Sequence, residues 1–182
     1  MTHPADAAPQ APYTTKSMCL AAVMAAIVFI MTFIPRIPIP LGYAHLGDAV
    51  IFLSFLYFRR REAALAAGIG SCLSDFLGGF PIWIGPTFVI KYVMVLIVFA
   101  IACRGGKPCR LFSLWTLTAF VLSSLWMAIA YTLAGAVLFG SMAAGLASLP
   151  GLLMEGGLNT AAAMGAGLFL KQLPNSRQKI SH

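Results

Sequence analysis

The sequence predicts an all-α, polytopic membrane protein with six transmembrane helices and both termini in the cytoplasm. Of its 182 residues, 60% are hydrophobic and only 9% are charged. A water-soluble fold of this size cannot cover that much apolar surface. The apolar residues form long runs, and short segments rich in basic residues, proline or glycine separate those runs. Runs of this length are typical of helices that cross a bilayer.

The basic residues predict the orientation. If the chain crosses the membrane six times, ten of its twelve Lys and Arg fall on one side. Cytoplasmic loops carry an excess of Lys and Arg, so this side is predicted to be cytoplasmic. We therefore expect a disordered tail over residues 1–15, one membrane domain over 16–171 and a cytoplasmic tail over 172–182. The ten residues are Lys16, Arg59, Arg60, Arg61, Arg104, Lys107, Arg110, Lys171, Arg177 and Lys179.

Helix 1 is predicted over residues 17–34 and is interpreted as a retained helix, because it has no good small-residue cleavage site. It holds two pairs of alanines at a spacing of four, Ala21/Ala25 and Ala22/Ala26. Small residues at this spacing allow a second helix to approach closely in a membrane. That second helix belongs either to this chain or to a partner protein.

Three prolines end helix 1 and force residues 34–40 out of helical geometry. The loop continues through Tyr43 to His45. It is either a simple connector or a cover over the mouth of a site.

Helix 2 is predicted over residues 46–58, which is short for a membrane span. Helix 3 follows over 62–77. Small residues recur along helix 3 at a spacing of four, which predicts a close neighbour on that face. These residues are Ala66, Gly70, Ser74 and Gly78.

The second half of the chain begins with a turn over residues 78–86. Its Trp83 is interpreted as an interfacial anchor in preference to a ring stacked on a ligand. Helix 4 is predicted over 86–103, helix 5 over 111–139, a loop over 140–149 and helix 6 over 150–170. The four cysteines form no C-x-x-C pair and are interpreted as scattered apolar residues.

Six ionisable residues lie in apolar surroundings of the outer half. A charge in a membrane is costly, so it usually pairs or serves a function. An ion pair of Lys91 with Asp75 or Asp48 is the structural interpretation. Glu155 has no cation nearby in sequence, and Asn159 lies one turn further along the same helix face. A polar pocket that holds a small solute is the functional interpretation. The six are Arg36, His45, Asp48, Asp75, Lys91 and Glu155.

Several functional classes lack support in the sequence. No H-E-x-x-H or other metal-ligand spacing is present, and no G-x-x-x-x-G-K-[ST] phosphate-binding loop. We therefore expect no metal, no cofactor, no catalytic residue and no ATPase. The basic residues lie in turns rather than on a polar face, which argues against nucleic-acid binding.

An ordered set of short motifs carries a family resemblance. The set comprises I-P-I-P at 37–40, H-L-G-D-A at 45–49, A-G-I-G-S at 67–71, L-S-D at 73–75, and G-P-T at 85–87 leading to Lys91. From about residue 16 to residue 170 the chain resembles the substrate-binding S component of energy-coupling-factor (ECF) vitamin transporters. It is most similar to the riboflavin-type group, which also includes hydroxymethylpyrimidine and pyridoxine carriers.

The resemblance implies six helices and capture of a small vitamin at the outer face of the plasma membrane. It also implies association with a membrane-embedded T component and two cytoplasmic ATPases, with the whole S component toppling to release its cargo. An A-x-x-x-A pattern in helix 1 contacts the T component in this family. By resemblance, this surface includes Ala21, Ala22, Ala25 and Ala26.

The predicted pocket combines aromatic side chains that stack on a heterocycle with polar groups that orient it. Related chains commonly carry Gln where this chain has Glu155, and a carboxylate favours a donor-rich or cationic ligand. The alternative function is a stand-alone ion-coupled carrier that uses Asp48, Asp75 or Glu155 as a proton site, although no inverted repeat is visible. The predicted pocket residues are Tyr43, His45, Trp83, Lys91, Trp126, Glu155 and Asn159.

Overall fold

A computed structural model describes residues 14–39, 42–104 and 109–172. Within these ranges the chain forms six α-helices, one short β-hairpin and two single 3₁₀ turns. The predicted tails over 1–15 and 172–182 lie almost entirely outside the described residues. The elements are α1 (Thr15–Phe33), β1 (Ile37–Ile39), β2 (Gly42–Ala44), α2 (Gly47–Leu53), α3 (Arg60–Leu77), α4 (Ile84–Ala102), α5 (Leu114–Leu138) and α6 (Met142–Gln172), with 3₁₀ turns at Ser54–Leu56 and Pro81–Trp83.

The helices form a ring of neighbours. Helix α1 packs on α3, α3 on α4, α4 on α5 and α5 on α6. The short helix α2 contacts both α1 and α6, so it completes the ring, and it also reaches α4. One end of the bundle carries the β-hairpin and the 3₁₀ turn at Pro81–Trp83, and we call it the hairpin end. The opposite end carries Arg59, Arg60, Arg61, Arg104 and Arg110, and we call it the basic end.

Helices α1 and α3 approach each other at Gly70. A Cβ atom on Gly70 would lie 2.4 Å from the carbonyl oxygen of Ala25 and 3.0 Å from Cβ of Val28. Only glycine allows two helix backbones to come this close. The prediction that the small-residue face of helix 3 has a close neighbour is confirmed, and that neighbour is α1.

Within the described residues, three segments are long and apolar enough to cross a membrane: Thr15–Phe33, Pro81–Ala102 and Leu114–Leu138. Only 17% to 33% of their residues are buried within the chain. Each of them therefore presents a broad apolar face that a bilayer can cover, as in a membrane protein. Helix α2 is short for a membrane span, and α3 carries four charged residues. Length and composition therefore do not identify either helix as a membrane span.

A loop was predicted over residues 140–149, but residues 142–149 are helical, since α6 begins at Met142. Pro150 lies inside this helix. A proline removes one backbone hydrogen bond, and membrane helices tolerate that loss where side chains occupy freed backbone groups. The carbonyl that Pro150 leaves without its usual donor is that of Leu146, whereas the Ser148 hydroxyl donates to the carbonyl of Gly145 at 2.7 Å. The alanines and leucines around Pro150 favour helix, and this propensity outweighs the composition that suggested a loop.

The loop between helices 1 and 2 contains a short antiparallel hairpin, which the proline spacing alone did not predict. Ile37 pairs with Ala44, and Pro38 pairs with Tyr43. The interpretation of all four cysteines as scattered apolar residues is also wrong, because Cys103, next to the end of α4, forms a disulfide with Cys109. Their Cα atoms are 4.6 Å apart, which is within the range for a disulfide, although no C-x-x-C motif signals the pair.

Candidate functional site

The hairpin end contains a buried ion pair between α4 and α2. Nζ of Lys91 lies 2.5 Å from Oδ1 of Asp48, and the two side chains are 1% and 0% exposed. Lys91 is on the second turn of α4, and Asp48 is at the start of α2, so both point into the same end of the bundle. Nζ of Lys91 also lies 5.4 Å from the ring centroid of Tyr131 on α5. The buried lysine is therefore matched by a carboxylate and an aromatic face.

Asp75, the other expected partner of Lys91, has a different partner. Its Oδ1 accepts a hydrogen bond from the hydroxyl of Tyr43 at 3.2 Å. The same hydroxyl lies 3.2 Å from Oγ of Ser74. Asp75 thus connects the last turn of α3 to strand β2, and Lys91 pairs with Asp48 instead.

Arg36 holds Tyr43 from the other side. Its guanidinium carbon lies 4.1 Å from the ring centroid of Phe33 and 4.4 Å from that of Tyr43. Nη2 donates to the carbonyl of Ser74 at 3.4 Å. Burial raises the pKa of Tyr43 to about 12, so its hydroxyl keeps its proton at neutral pH. The tyrosine can therefore act as the donor to Asp75.

His45 joins the hairpin to α6. Its backbone N–H donates to Oε1 of Glu155 at 3.3 Å. The N–H of Gly47 donates to Nδ1 of His45 at 3.1 Å, so Nδ1 carries a lone pair and the imidazole is neutral. Burial, reinforced by the positive charge of Lys91, lowers the pKa of His45 to about 3. The 3.3 Å approach of Nδ1 to Oε1 of Glu155 is therefore not an ion pair at neutral pH.

Asn159 is fully buried, and both polar atoms of its side-chain amide are hydrogen-bonded within the protein. Its Oδ1 accepts from the N–H of Ala49 at 2.8 Å. Its Nδ2 donates to the carbonyls of His45 at 2.7 Å and Glu155 at 2.9 Å. The amide thus clamps the start of α2 and the end of the hairpin onto α6. A ligand could bond to both Oδ1 and Nδ2 of Asn159 only if these hydrogen bonds broke.

Three aromatic side chains, Trp83, Tyr131 and Phe139, form a cluster at the hairpin end. Trp83 is only 7% exposed and packs on Tyr131, with ring centroids 5.7 Å apart, and on Phe139 at 6.2 Å. The interpretation of Trp83 as an interfacial anchor is wrong, since the folded chain buries the ring. The Tyr131 hydroxyl donates to Oγ1 of Thr87 at 3.1 Å.

Trp126 has a different environment from the other predicted pocket residues. Its indole N–H donates to the carbonyl of Ile90 at 3.2 Å, and its ring packs against the main apolar core. This contact ties α5 to α4 one residue before Lys91. The structure therefore gives Trp126 a packing contact behind the site.

The structure adds Tyr131 and Thr87 to the residues at this end. Thr87 lies four residues before Lys91, so the helical period places it on the same face of α4. Tyr131 had no such signal, because only the packing of α5 on α4 brings it under Lys91. Among the described residues, no group of three or more His, Cys, Asp and Glu is arranged to hold a metal ion.

Comparison with known proteins agrees with this architecture. A solved structure of the S component of a bacterial ECF transporter matches 86% of this chain and 98% of its own, with a TM-score of 0.67 and 18% identity. At that identity the likeness concerns the fold. An uncharacterized protein from Pyrococcus woesei is 41% identical over 66 residues, which are 35% of this chain and 44% of that relative.

A family model supplies the assignment. The model for the S component of ECF-type riboflavin transporters matches residues 13–171, which include all six helices up to the last residue but one of α6. The match therefore covers both the bundle and the polar residues at its hairpin end. This chain belongs to the ECF-type riboflavin transporter S component family.

Proposed function

We propose that this protein captures a small vitamin or vitamin precursor at its hairpin end and delivers it across the plasma membrane together with separate energy-coupling proteins. One observation carries the proposal. Side chains from the hairpin and from α2, α3, α4 and α6 bring buried ionisable groups to one end of a bundle that otherwise contains mostly apolar residues. Ionisable groups are costly to bury in a membrane protein, so a cluster of them is evidence for a functional site, and here we propose a solute site.

The proposed binding surface combines rings and polar groups. Tyr43 and Trp83 supply aromatic rings, and Lys91, His45 and Glu155 supply polar groups. The ring centroids of Tyr43 and His45 lie 5.9 Å apart, and His45 contacts Glu155. A flat heterocycle would stack on the rings and bond to the polar groups. Asn159 and Trp126 support this surface from behind.

In the proposed orientation, the hairpin end faces outward and the basic end faces the cytoplasm. The described basic end carries Arg59, Arg60 and Arg61 at the start of α3, and by the positive-inside rule such basic segments favour the cytoplasmic side. The solute would therefore enter from outside, next to the hairpin.

The energy for transport is proposed to come from a T component and two ATPases, since the sequence has no phosphate-binding loop. Uptake of radiolabelled vitamin into proteoliposomes tests this directly. We expect uptake only when the T component and both ATPases are reconstituted with the protein. Uptake by the protein alone, abolished when the proton gradient is dissipated, would instead identify an ion-coupled carrier.

The structure separates the two alanine pairs of α1. Ala25 packs against the apolar cluster that contains α3 and sits beside Gly70, whereas Ala22 and Ala26 are exposed. The proposed surface for the T component is therefore the Ala22/Ala26 face. A26W should abolish capture of the T component in a pull-down and leave vitamin binding intact. I129W, at an exposed position of α5, is the matched control, and unchanged capture by A26W would refute the assignment.

The cargo can be identified directly. We expect the purified protein to retain a small heterocycle, which denaturation releases and mass spectrometry identifies. A protein that copurifies with no such molecule and binds no added vitamin would contradict the proposed function.

A further inference from the structure

The basic end carries a pair of cysteines that the proposed binding surface does not use. Cys103 directly follows α4, and its sulfur is bonded to that of Cys109. Both cysteines are only partly buried, and each is followed by an exposed arginine, Arg104 or Arg110. The pair therefore lies at the surface, where small molecules on this side of the membrane can reach it.

The proposed compartment argues against a permanent disulfide at this end. In the proposed orientation the basic end faces the cytoplasm, where glutathione and thioredoxin keep thiols reduced. Cytoplasmic disulfides are usually transient and are catalytic or redox-sensing. A disulfide between Cys103 and Cys109 therefore fits a pair that forms and breaks its bond better than it fits a permanent cross-link.

The charge around the pair favours its reaction. The thiolate is the nucleophile in thiol–disulfide exchange, and a neighbouring positive charge stabilises it. Arg104 and Arg110 supply two such charges next to the cysteines. The guanidinium carbon of Arg104 lies 4.8 Å from the ring centroid of Trp115 near the start of α5. Neither α4 nor α5 contains an Asp or Glu that would offset these charges.

The segment that begins at Cys109 packs across the basic end. Leu111 is fully buried beside Gly167 of α6, where a Cβ atom on that glycine would overlap with it. The Thr116 hydroxyl donates to the carbonyl of Arg110, which joins the same segment to the first turn of α5. The disulfide adds a link to the end of α4. This segment is thus held on α4, α5 and α6 when the pair is oxidised, and it loses the link to α4 when the pair is reduced.

We propose that Cys103 and Cys109 are a reversible oxidation site for small-molecule disulfides of the cytoplasm, and that their bond fixes the connection from α4 to α5. This inference rests on the cytoplasmic orientation in the proposed function and is independent of the identity of the cargo. The redox state of the cytoplasm then sets how firmly the basic end is held.

The reaction is a pair of thiol–disulfide exchanges. One cysteine thiolate attacks a sulfur of the small disulfide, forms a mixed disulfide and releases one small thiol. The second cysteine attacks the protein sulfur of the mixed disulfide, closes the bond between Cys103 and Cys109 and releases the second small thiol. The two cysteine protons pass to the released thiols. The protein is oxidised by two electrons, and the small disulfide is reduced by the same two electrons.

Alkylation in cells tests whether the bond is reversible. The variant C19S/C72S keeps only this pair among the four cysteines of the chain, so every thiol detected belongs to Cys103 or Cys109. Acid-quenched cells are labelled with a maleimide polymer that shifts the protein on a gel. We expect both thiols to be free in untreated cells, blocked after diamide has oxidised the cellular thiol pool, and free again after its removal. A pair that stays oxidised in untreated cells, or that diamide leaves free, overturns the inference.

Sided labelling of the same variant separates a wrong orientation from a wrong inference. In intact cells, a membrane-impermeant maleimide should not label the pair, even after treatment with a membrane-impermeant phosphine reductant. Labelling under these conditions would place the basic end outside the cell. That result would overturn both the inference and the proposed orientation, whereas vitamin binding by the purified protein is measured separately.

Hydrogen exchange of the purified full chain tests the structural effect. Residues 110–116 should exchange at least about tenfold more slowly in oxidised than in reduced glutathione, because a disulfide commonly shifts a folding equilibrium by more than this factor. C103S/C109S should exchange at the faster rate in both buffers. Cys72→Ser removes a free cysteine of α3, is the matched control and should behave like the wild type. Equal exchange in the two buffers, with the bond formed only in the oxidised one by mass spectrometry, overturns the inference.

Discussion

Nζ of Lys91 lies 2.5 Å from Oδ1 of Asp48, and both side chains are buried at the hairpin end. The pair joins α4 to the first turn of α2. Because α2 is the seven-residue helix that completes the ring between α1 and α6, the pair fixes the start of that helix against α4. The first prediction tests this relationship.

Asp48→Asn should lower the free energy of unfolding by about 3 to 5 kcal/mol, because it leaves Lys91 charged, buried and unpaired. Replacing both partners, in D48L/K91M, should restore most of that loss, since an apolar pair of similar volume is often neutral or stabilising. Thermal unfolding in detergent measures both variants. A double variant as unstable as D48N would contradict the pairing.

Asn159→Leu should loosen the hairpin, because it removes the partners of the Ala49 N–H and the His45 carbonyl. Each buried group left without a partner costs about 1 to 3 kcal/mol. We expect faster amide hydrogen exchange at residues 43–49 than in the wild type. Thr160→Val, one residue along α6, is the control and should leave exchange in this segment unchanged.

The hairpin should open as the pH falls. The pKa of His45 is lowered from 6.5 to about 3, so the open or unfolded chain binds a proton that the closed chain does not. The contribution of His45 to stability is therefore complete above pH 6.5 and is lost as the pH falls toward 3. Between pH 7 and pH 5 the loss is about 2 kcal/mol. The charged or titratable groups around this histidine are Glu155, Lys91, Asp48, Arg36 and Tyr43.

Hydrogen exchange of residues 43–49 at pH 7 and pH 5 measures this opening. His45→Asn supplies the matched control, because its side-chain oxygen can accept from Gly47 but does not titrate in this range. Exchange in H45N should depend far less on pH after correction for the intrinsic rate. An equal pH dependence in both proteins would show that another group is responsible.

Gly70→Ala should destabilise the contact of α1 with α3. The added Cβ would lie 2.4 Å from the Ala25 carbonyl oxygen, so the two helices must separate. Overpacking of this kind costs about 1 to 3 kcal/mol. Gly165→Ala on α6 meets nothing within 4 Å and should be neutral or stabilising by up to about 1 kcal/mol. Equal thermal unfolding of the two variants would contradict the close approach.

Sequence patterns predicted the helical content and most helix boundaries to within a few residues. They worked because an apolar run long enough to cross a bilayer is a local property of the chain. They missed the helix over 142–149, where small residues and Pro150 suggested a loop. They also missed the hairpin, in which Pro38 pairs with Tyr43, because Tyr43 is held by contacts with Arg36 and with Asp75 of α3 that are not local in sequence.

The sequence predicted which residues belong to the candidate site better than it predicted which of them contact one another. Composition alone marked Asp48, Asp75, Lys91 and Glu155 as charges that need a reason in apolar surroundings. It left open whether Lys91 pairs with Asp48 or with Asp75. It also did not distinguish Asn159, which holds α2 and the hairpin on α6, from Glu155, which we assign to the proposed binding surface. Those distinctions depend on the rotation of each helix about its axis.

The sequence by itself determined that this chain is a helical membrane protein, because hydropathy acts on each segment separately. It also determined the family, through an ordered set of motifs that a family model matches. Only the tertiary structure decided that Asp48 neutralises Lys91, that Tyr43 bonds to Asp75, and that Ala26 faces outward while Ala25 packs inward. The physical reason is that partner choice depends on distances of a few ångströms between helices, and residue order does not encode those distances locally.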